Sequence, residues 1–211
     1  MKRHQALIPE ALLPGSLERY AQANAIQSVL TREGGYVPVG IDHYAQPDDP
    51  MAKAAAARRL RRGFQGYTTD AAPVLIGFGA SAVGSLPQGY VQNAPTAAAY
   101  AKEIEAGRLA TVRGVELSAD DRLRREAIEH VMCDREVDLE AVAFKHGADP
   151  APLIELAAIG LPRYVADGLA RWDGRRVTVS ERGRPFVRSL AALFDRYLTQ
   201  DGRNPRHSRA L

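Results

Sequence analysis

The sequence predicts an α/β segment followed by a mostly helical, winged-helix-like segment, and three observations carry that prediction. Residues 36–42 (YVPVGID) and 73–79 (PVLIGFG) are short apolar runs bounded by glycine, with a helix-forming stretch between them, the order that builds parallel sheets. From residue 117 onward, apolar side chains recur at helical spacing. Near the end, Asp173 and Gly174 separate a short run closing on Trp172 from the alternating RVTVS at 176–180, which is a hairpin signal.

In order, residues 17–31 place Leu17, Tyr20, Ala21, Ile26, Val29 and Leu30 at roughly helical spacing, with Ser16 as candidate N-cap and Gly34 and Gly35 as the stop. The strand at 36–42 carries Pro38, which removes one ladder donor, and delivers Asp42, His43 and Tyr44 to its end. Residues 48–62 combine Asp48 or Asp49 as cap, Pro50 in the first turn, alanines in the middle and arginines last. Capping, propensity and dipole therefore agree on a helix, which Gly63 closes. Residues 64–86 (FQGYTTDAAPVLIGFGASAVGSL) join this basic helix to the second strand and a glycine-rich turn, where backbone can come close to a ligand.

A further helix is predicted over 96–106. Ser118 then caps a helix whose buried face is Leu123, Ile128, Val131 and Met132; residues 138–147 and 152–168 give two more, and an amphipathic helix follows the hairpin. The segments divide near 114–118, which gives residues 1–115, residues 116–200 and a polar tail at 201–211.

With 45% hydrophobic and 25% charged residues over 211 positions, the composition is that of an ordinary globular chain. No apolar run approaches the roughly 18 residues that span a bilayer. Pro9 and Glu10 interrupt the N-terminal stretch before a signal core forms, so no membrane partner and a cytoplasmic location are expected. The single cysteine, Cys133, excludes an intrachain disulfide and any site built from several thiolates of this chain. A net charge of +3, with arginine spread through both halves, permits nucleic-acid binding without indicating it.

Residues 77–82 (GFGASA) fit the G-x-G-x-x-A form of a dinucleotide loop. Pro87 and Gly89 stop any following helix within about two turns, which favours a turn for close packing or for another ligand. Asp42 and His43 lie where a parallel strand would end, the usual place for functional groups in such folds, although spacing alone fits a turn residue and a surface histidine better. His130 and Cys133 lie a helical turn apart, as two metal ligands could, while apolar neighbours favour a buried structural cysteine. His146, beside Gly147, reads as a helix-end residue. Arg124, Arg125, Arg175, Arg176, Arg182 and Arg184 could let the winged segment bind DNA; interleaved acids, and the use of that fold as a packing module, weigh against it.

Two longer stretches, GGYVPVGIDHYAQPDDP at 34–50 and RRGFQGYTTDAAPVLIGFGASAVGSLPQGYVQN at 61–93, resemble the oxygen-independent coproporphyrinogen III oxidases, radical S-adenosylmethionine enzymes of haem biosynthesis. The likeness continues to RGRPFVRSLAALFDRYL at 182–198. It implies oxidative decarboxylation of two propionates of coproporphyrinogen III, giving protoporphyrinogen IX. A 5′-deoxyadenosyl radical starts the reaction, made from S-adenosyl-L-methionine at a [4Fe-4S] cluster on a C-x-x-x-C-x-x-C motif.

This chain has no such motif, and a single cysteine cannot hold the cluster. The resemblance therefore implies the C-terminal half of such an enzyme: the last α/β units of an incomplete radical SAM barrel, then the helical domain. Its expected partner is the missing N-terminal cluster-binding half, with Met1 an internal methionine of a longer protein. Matched by position, Phe64, Gln65 and Val83 line the S-adenosylmethionine region, Val83 standing where isoleucine is familiar, and Asp42 and His43 fall on the substrate side. The alternative is a non-catalytic protein, either a haem or tetrapyrrole binder or a winged-helix DNA binder.

Overall fold

A computed structural model describes residues 12–200; the stretch at 1–11 and the polar tail expected at 201–211 lie outside them. Helix α1 (Ser16–Ser28) runs on into a π-helical turn (Val29–Glu33) and stops at Gly34 and Gly35. Its cap is Gly15, and Ser16 is already helical. None of its residues is buried, although Tyr20 meets the Phe186 ring at 6.0 Å.

The parallel strand, helix, strand unit does not form, because every strand pairing among the described residues is antiparallel. Residues 36–42 fold back instead: β1 (Val37–Val39) pairs with β2 (His43–Ala45) around Gly40. Gly40 takes φ +60°, and a Cβ there would lie 2.0 Å from Cζ of Tyr67, so only glycine can make this turn beneath that ring. Asp42 and His43 therefore sit at a hairpin turn and not at the end of a parallel strand.

Asp49 is the cap of α2 (Pro50–Ala56), accepting from Met51 N at 2.7 Å. The helix is shorter than its composition suggests, because Arg58 adopts φ +52° and the chain enters β3 (Arg61–Gly63), paired with β4 (Gly66–Thr68). The expected strand at 73–79 makes a single antiparallel bridge, Leu75 to Ser85. It lies against β5 (Val83–Leu86), the first strand of a sheet completed by β6 (Gly89–Asn93) and β7 (Thr111–Glu116). The helix expected over 96–106 forms as α3 (Ala97–Glu105), between β6 and β7, with Thr96 as its cap. No closed barrel forms among the described residues.

Beyond β7 the chain builds its own core. Ser118 and Asp121 make a capping box for α4 (Ala119–Asp134). After it come β8 (Glu136–Asp138), α5 (Leu139–Lys145), α6 (Ala151–Gly160) and α7 (Pro162–Ala166), and Pro162 splits the single helix expected at 152–168.

The hairpin forms as β9 (Ala170–Trp172) and β10 (Arg176–Val179), with the Asp173 carboxylate accepting from Arg175 N and Arg176 N. The strand at β8, hidden in a helical reading, adds to its other side in the order β8–β10–β9. The closing helix is broken into α8 (Val187–Ala191), flanked by 3-10 turns, and α9 (Arg196–Gln200). Phe194, Leu139, Leu153, Leu161, Leu190 and Val177 fill the core between these elements. No helix of the described residues is long and apolar enough to cross a membrane.

Candidate functional site

Tyr67 joins the two stretches on which the family resemblance rests. It lies on β4 in FQGYTT, buried, and its hydroxyl accepts from Ile41 N at 3.1 Å in the GIDHY turn and donates to Met132 O at 3.0 Å near the end of α4. Burial is the main cause of its raised pKa, opposed by the Arg62 guanidinium 4.7 Å from the ring centre, so the phenol stays protonated and can donate. Arg62 N in turn donates to Glu129 of α4 at 3.2 Å.

His43 packs edge-on against the Tyr67 ring at 5.2 Å, and its Nδ1 lies 2.8 Å from Asp42 Oδ1. Gly66 takes φ +129°, a backbone conformation that favours glycine, and lies beside the imidazole, where a Cβ would make only an ordinary 3.5 Å contact with His43 Nε2. Asp42 is exposed and His43 partly so; the pair faces solvent beside the β3–β4 hairpin.

Phe64 and Gln65 form the exposed tip of that hairpin. The Phe64 ring meets Tyr90 of β6 edge-on at 5.2 Å, and Val83, half-buried, lies on the adjacent β5 opposite Gln92. The glycine-rich turn at 77–82 beside it is packed on itself. A Cβ on Gly77 would lie 2.9 Å from Ala82 Cβ, and Asn93 Nδ2 donates to the carbonyls of Gly77 at 2.9 Å and Gly79 at 3.1 Å. No helix follows that turn, so it lacks the helix N-terminus that a dinucleotide pyrophosphate needs.

Cys133 packs in a small cluster with Val39, Ala52, Leu60 and Tyr67, and burial pushes its thiol up to about 12. His130 Nδ1 pairs with Asp134 at 2.7 Å, and His146, at the end of α5, with Glu126 at 2.8 Å. Among the described residues no group of three or more His, Cys, Asp or Glu side chains is placed to hold a metal ion.

Of the six arginines considered for DNA, Arg124 pairs with Asp120, Arg175 and Arg176 pair with Asp138, and Arg184 is 3% exposed. Arg184 Nε donates to Gly40 O at 2.7 Å, which ties the last part of the chain to the GIDHY turn; its two Nη atoms are buried without hydrogen-bond partners. Sequence reasoning missed Tyr67 and Arg184 as organisers. Gly40 and Gly66, each bracketed by motif residues, were the available signal for Tyr67; nothing local marks Arg184 as buried.

Residues 117–186 match the HemN C-terminal domain family. The whole chain is 49% identical over 210 residues to an oxygen-independent coproporphyrinogen III oxidase of Bradyrhizobium diazoefficiens, of which it covers 46%. An anaerobic coproporphyrinogen III oxidase of Cereibacter sphaeroides is 41% identical over 96% of the chain and 44% of that protein. The chain spans about half the length of the curated relatives it matches. Among solved structures, the Escherichia coli coproporphyrinogen III oxidase, described as a radical SAM enzyme, superposes with a TM-score of 0.82 at 30% identity, over 90% of this chain and 44% of that one.

Proposed function

We propose that this chain is the C-terminal part of an oxygen-independent coproporphyrinogen III oxidase, which converts coproporphyrinogen III to protoporphyrinogen IX by oxidative decarboxylation. Of the described residues, 12–115 form part of its barrel and 116–200 its helical, winged-helix-like domain. The observation that carries the reading is the junction at Tyr67, which holds GIDHY, FQGYTT and α4 together in a chain 49% identical to such an enzyme along its length.

The residues present do not fit an iron–sulfur cluster. Such a cluster needs several thiolates, and the one cysteine is buried with its thiol at about 12. A cluster would take its ligands from residues outside this chain. S-adenosyl-L-methionine fits the donor set better: an exposed aromatic ring at Phe64, an exposed amide at Gln65, an apolar contact at Val83, and backbone at Gly79 where a Cβ would meet nothing within 4 Å. When bound, it supplies the group that takes a hydrogen atom from the substrate. Phe64 and Gln65 bind it, Tyr67 fixes the hairpin that presents them, and Asp42 and His43 face the substrate.

The test mixes this chain, anaerobically, with the separately produced remaining half of the Bradyrhizobium relative. Porphyrinogen oxidation should appear only with both present, and Phe64→Ala and Gln65→Ala should weaken S-adenosylmethionine binding about tenfold. Cleavage of S-adenosylmethionine by the chain alone, after treatment with iron and sulfide, would sink the reading. A second reading, a non-catalytic tetrapyrrole binder, shares the lack of cluster thiolates; it predicts tight haem binding and no oxidation in the mixture.

A further inference from the structure

Two arginines of α4 carry charge that no carboxylate among the described residues answers, and both face one cleft. Arg122 and Arg125 are spaced i, i+3 on the helix, and with Arg61, Glu126, Glu129 and Lys145 they line a cleft of about 210 Å³. Both acids are already engaged. Glu126 pairs with Lys145 at 2.6 Å and His146 at 2.8 Å, and Glu129 accepts from Arg62 N at 3.2 Å with Arg61 at 3.7 Å. Burial acts to raise the Glu126 carboxyl, but hydrogen bonds from Lys145 and His146 outweigh it and hold the group ionised. By contrast, Arg122 bonds only the Leu117 carbonyl, and Arg125 lies 5.6 Å from the Tyr90 ring centre.

The place of the cleft narrows what it can take. Tyr90 is the ring that meets Phe64, so the cleft opens a single side chain away from the hairpin tip that carries Phe64 and Gln65. Its volume lies below the several hundred Å³ of a site for a drug-sized molecule, so it suits an acidic arm and not a macrocycle. Paired guanidinium forks recognise a carboxylate in bidentate fashion.

Resting on the coproporphyrinogen reading above, we propose that Arg122 and Arg125 form a subsite for a propionate carboxylate of the tetrapyrrole. Arg61 and Lys145 keep Glu129 and Glu126 turned to themselves, so neither acid competes for the two guanidinium groups.

The experiment titrates coproporphyrin III, the stable oxidised ring that keeps the propionates, into the 211-residue chain, with folding of each variant checked by circular dichroism. Arg125→Ala and Arg122→Gln should each weaken binding about tenfold. Arg125→Lys, which keeps the charge and loses the fork, should fall between, and Arg182→Ala, exposed on the hairpin side, should match the parent. If the chain binds coproporphyrin and both variants bind equally well, the subsite is wrong while the tetrapyrrole reading stands. If coproporphyrin fails to bind while inorganic phosphate or duplex DNA binds through these arginines with steep salt dependence, the propionate assignment and the tetrapyrrole reading fall together. If the parent chain binds none of the three probes, the subsite does not exist.

Discussion

Residues 118–198 and residues 68–116 use similar apolar side chains to opposite ends. The first region closes a core: Phe194 and Leu139 are fully buried, and, apart from Val39, each of the largest fully buried side chains comes from 123–194. The second buries only Ala94 and Ala110 among its apolar residues, while Phe78 is 86% and Leu109 87% exposed and every residue of β7 is exposed. The amount of apolar residue does not separate them. What separates them is whether the chain itself supplies the facing surface, and an open apolar sheet of this kind is a docking face or a liability.

The largest effect expected from this contrast comes from truncating an aromatic in each region. Phe194→Ala removes a fully buried ring and should cost about 3–5 kcal/mol in urea unfolding. Phe78→Ala, at a ring already in water, should stay within about 0.5 kcal/mol. Equal losses would show that the two regions share a single core. Amide exchange should follow the same division, with 123–194 protected to near the global limit and 71–117 opening locally.

Next comes the junction. Tyr67→Phe keeps the ring under Gly40 and deletes two hydrogen bonds, leaving Ile41 N and Met132 O unpaired, for a cost of about 1–3 kcal/mol. Exchange at Ile41 should rise while the amides inside α8 stay protected. If α8 loosens equally, the hydroxyl is not a local tie between the regions but part of a common fold.

Caps and turns were legible in the sequence because they are local: Ser118 and the Asp173–Gly174 turn in the helical region, and Asp49 before it, each act within a few residues. Pro162 is a local signal of the same kind, a residue that cannot continue the helix before it, and α7 begins there. In the other region, apolar runs bounded by glycine suggested parallel strands, yet 36–42 folds at Gly40 because a ring 27 positions later occupies the Cβ site, and nothing in the local pattern carries that. Asp42 and His43, expected at the end of a parallel strand, lie instead on an antiparallel hairpin. The burial of Arg184 against Gly40 O, a contact across 144 positions, lies beyond any periodicity.

The capping box gives a smaller effect and a cleaner one. Ser118→Ala removes the acceptor for Asp121 N at 3.1 Å, and should lower the stability of the helical region by about 1 kcal/mol. Thr96→Ala, the corresponding loss on α3, whose residues are not buried, should be nearly silent in global unfolding and visible only as local fraying. A global loss from Thr96→Ala as large as that from Ser118→Ala would mean that α3 belongs to the cooperative core.

The smallest expected effect is a pH dependence confined to the helical region. The hydrogen bond that the His130 ring donates to the Asp134 carboxylate is the main cause that raises the His130 pKa above its ordinary 6.5, with burial opposing it and Glu126 and Glu129 adding to it. A folded pKa above the unfolded one means that the fold prefers the protonated ring. The contribution is therefore fully present below pH 6.5 and is lost as pH rises through the raised folded value. Glu126 works in the opposite sense, its folded pKa being lowered, so its contribution fails only as pH falls below the carboxylate range and leaves the neutral window to His130. With 38% of the His130 side chain exposed, solvent screening holds the gain to a few tenths of a kcal/mol, or about 1–2 °C in melting temperature between pH 8 and 6. His130→Gln should flatten that slope. A slope that survives the substitution would assign the proton to another group and remove His130 from the account of what holds α4 in place.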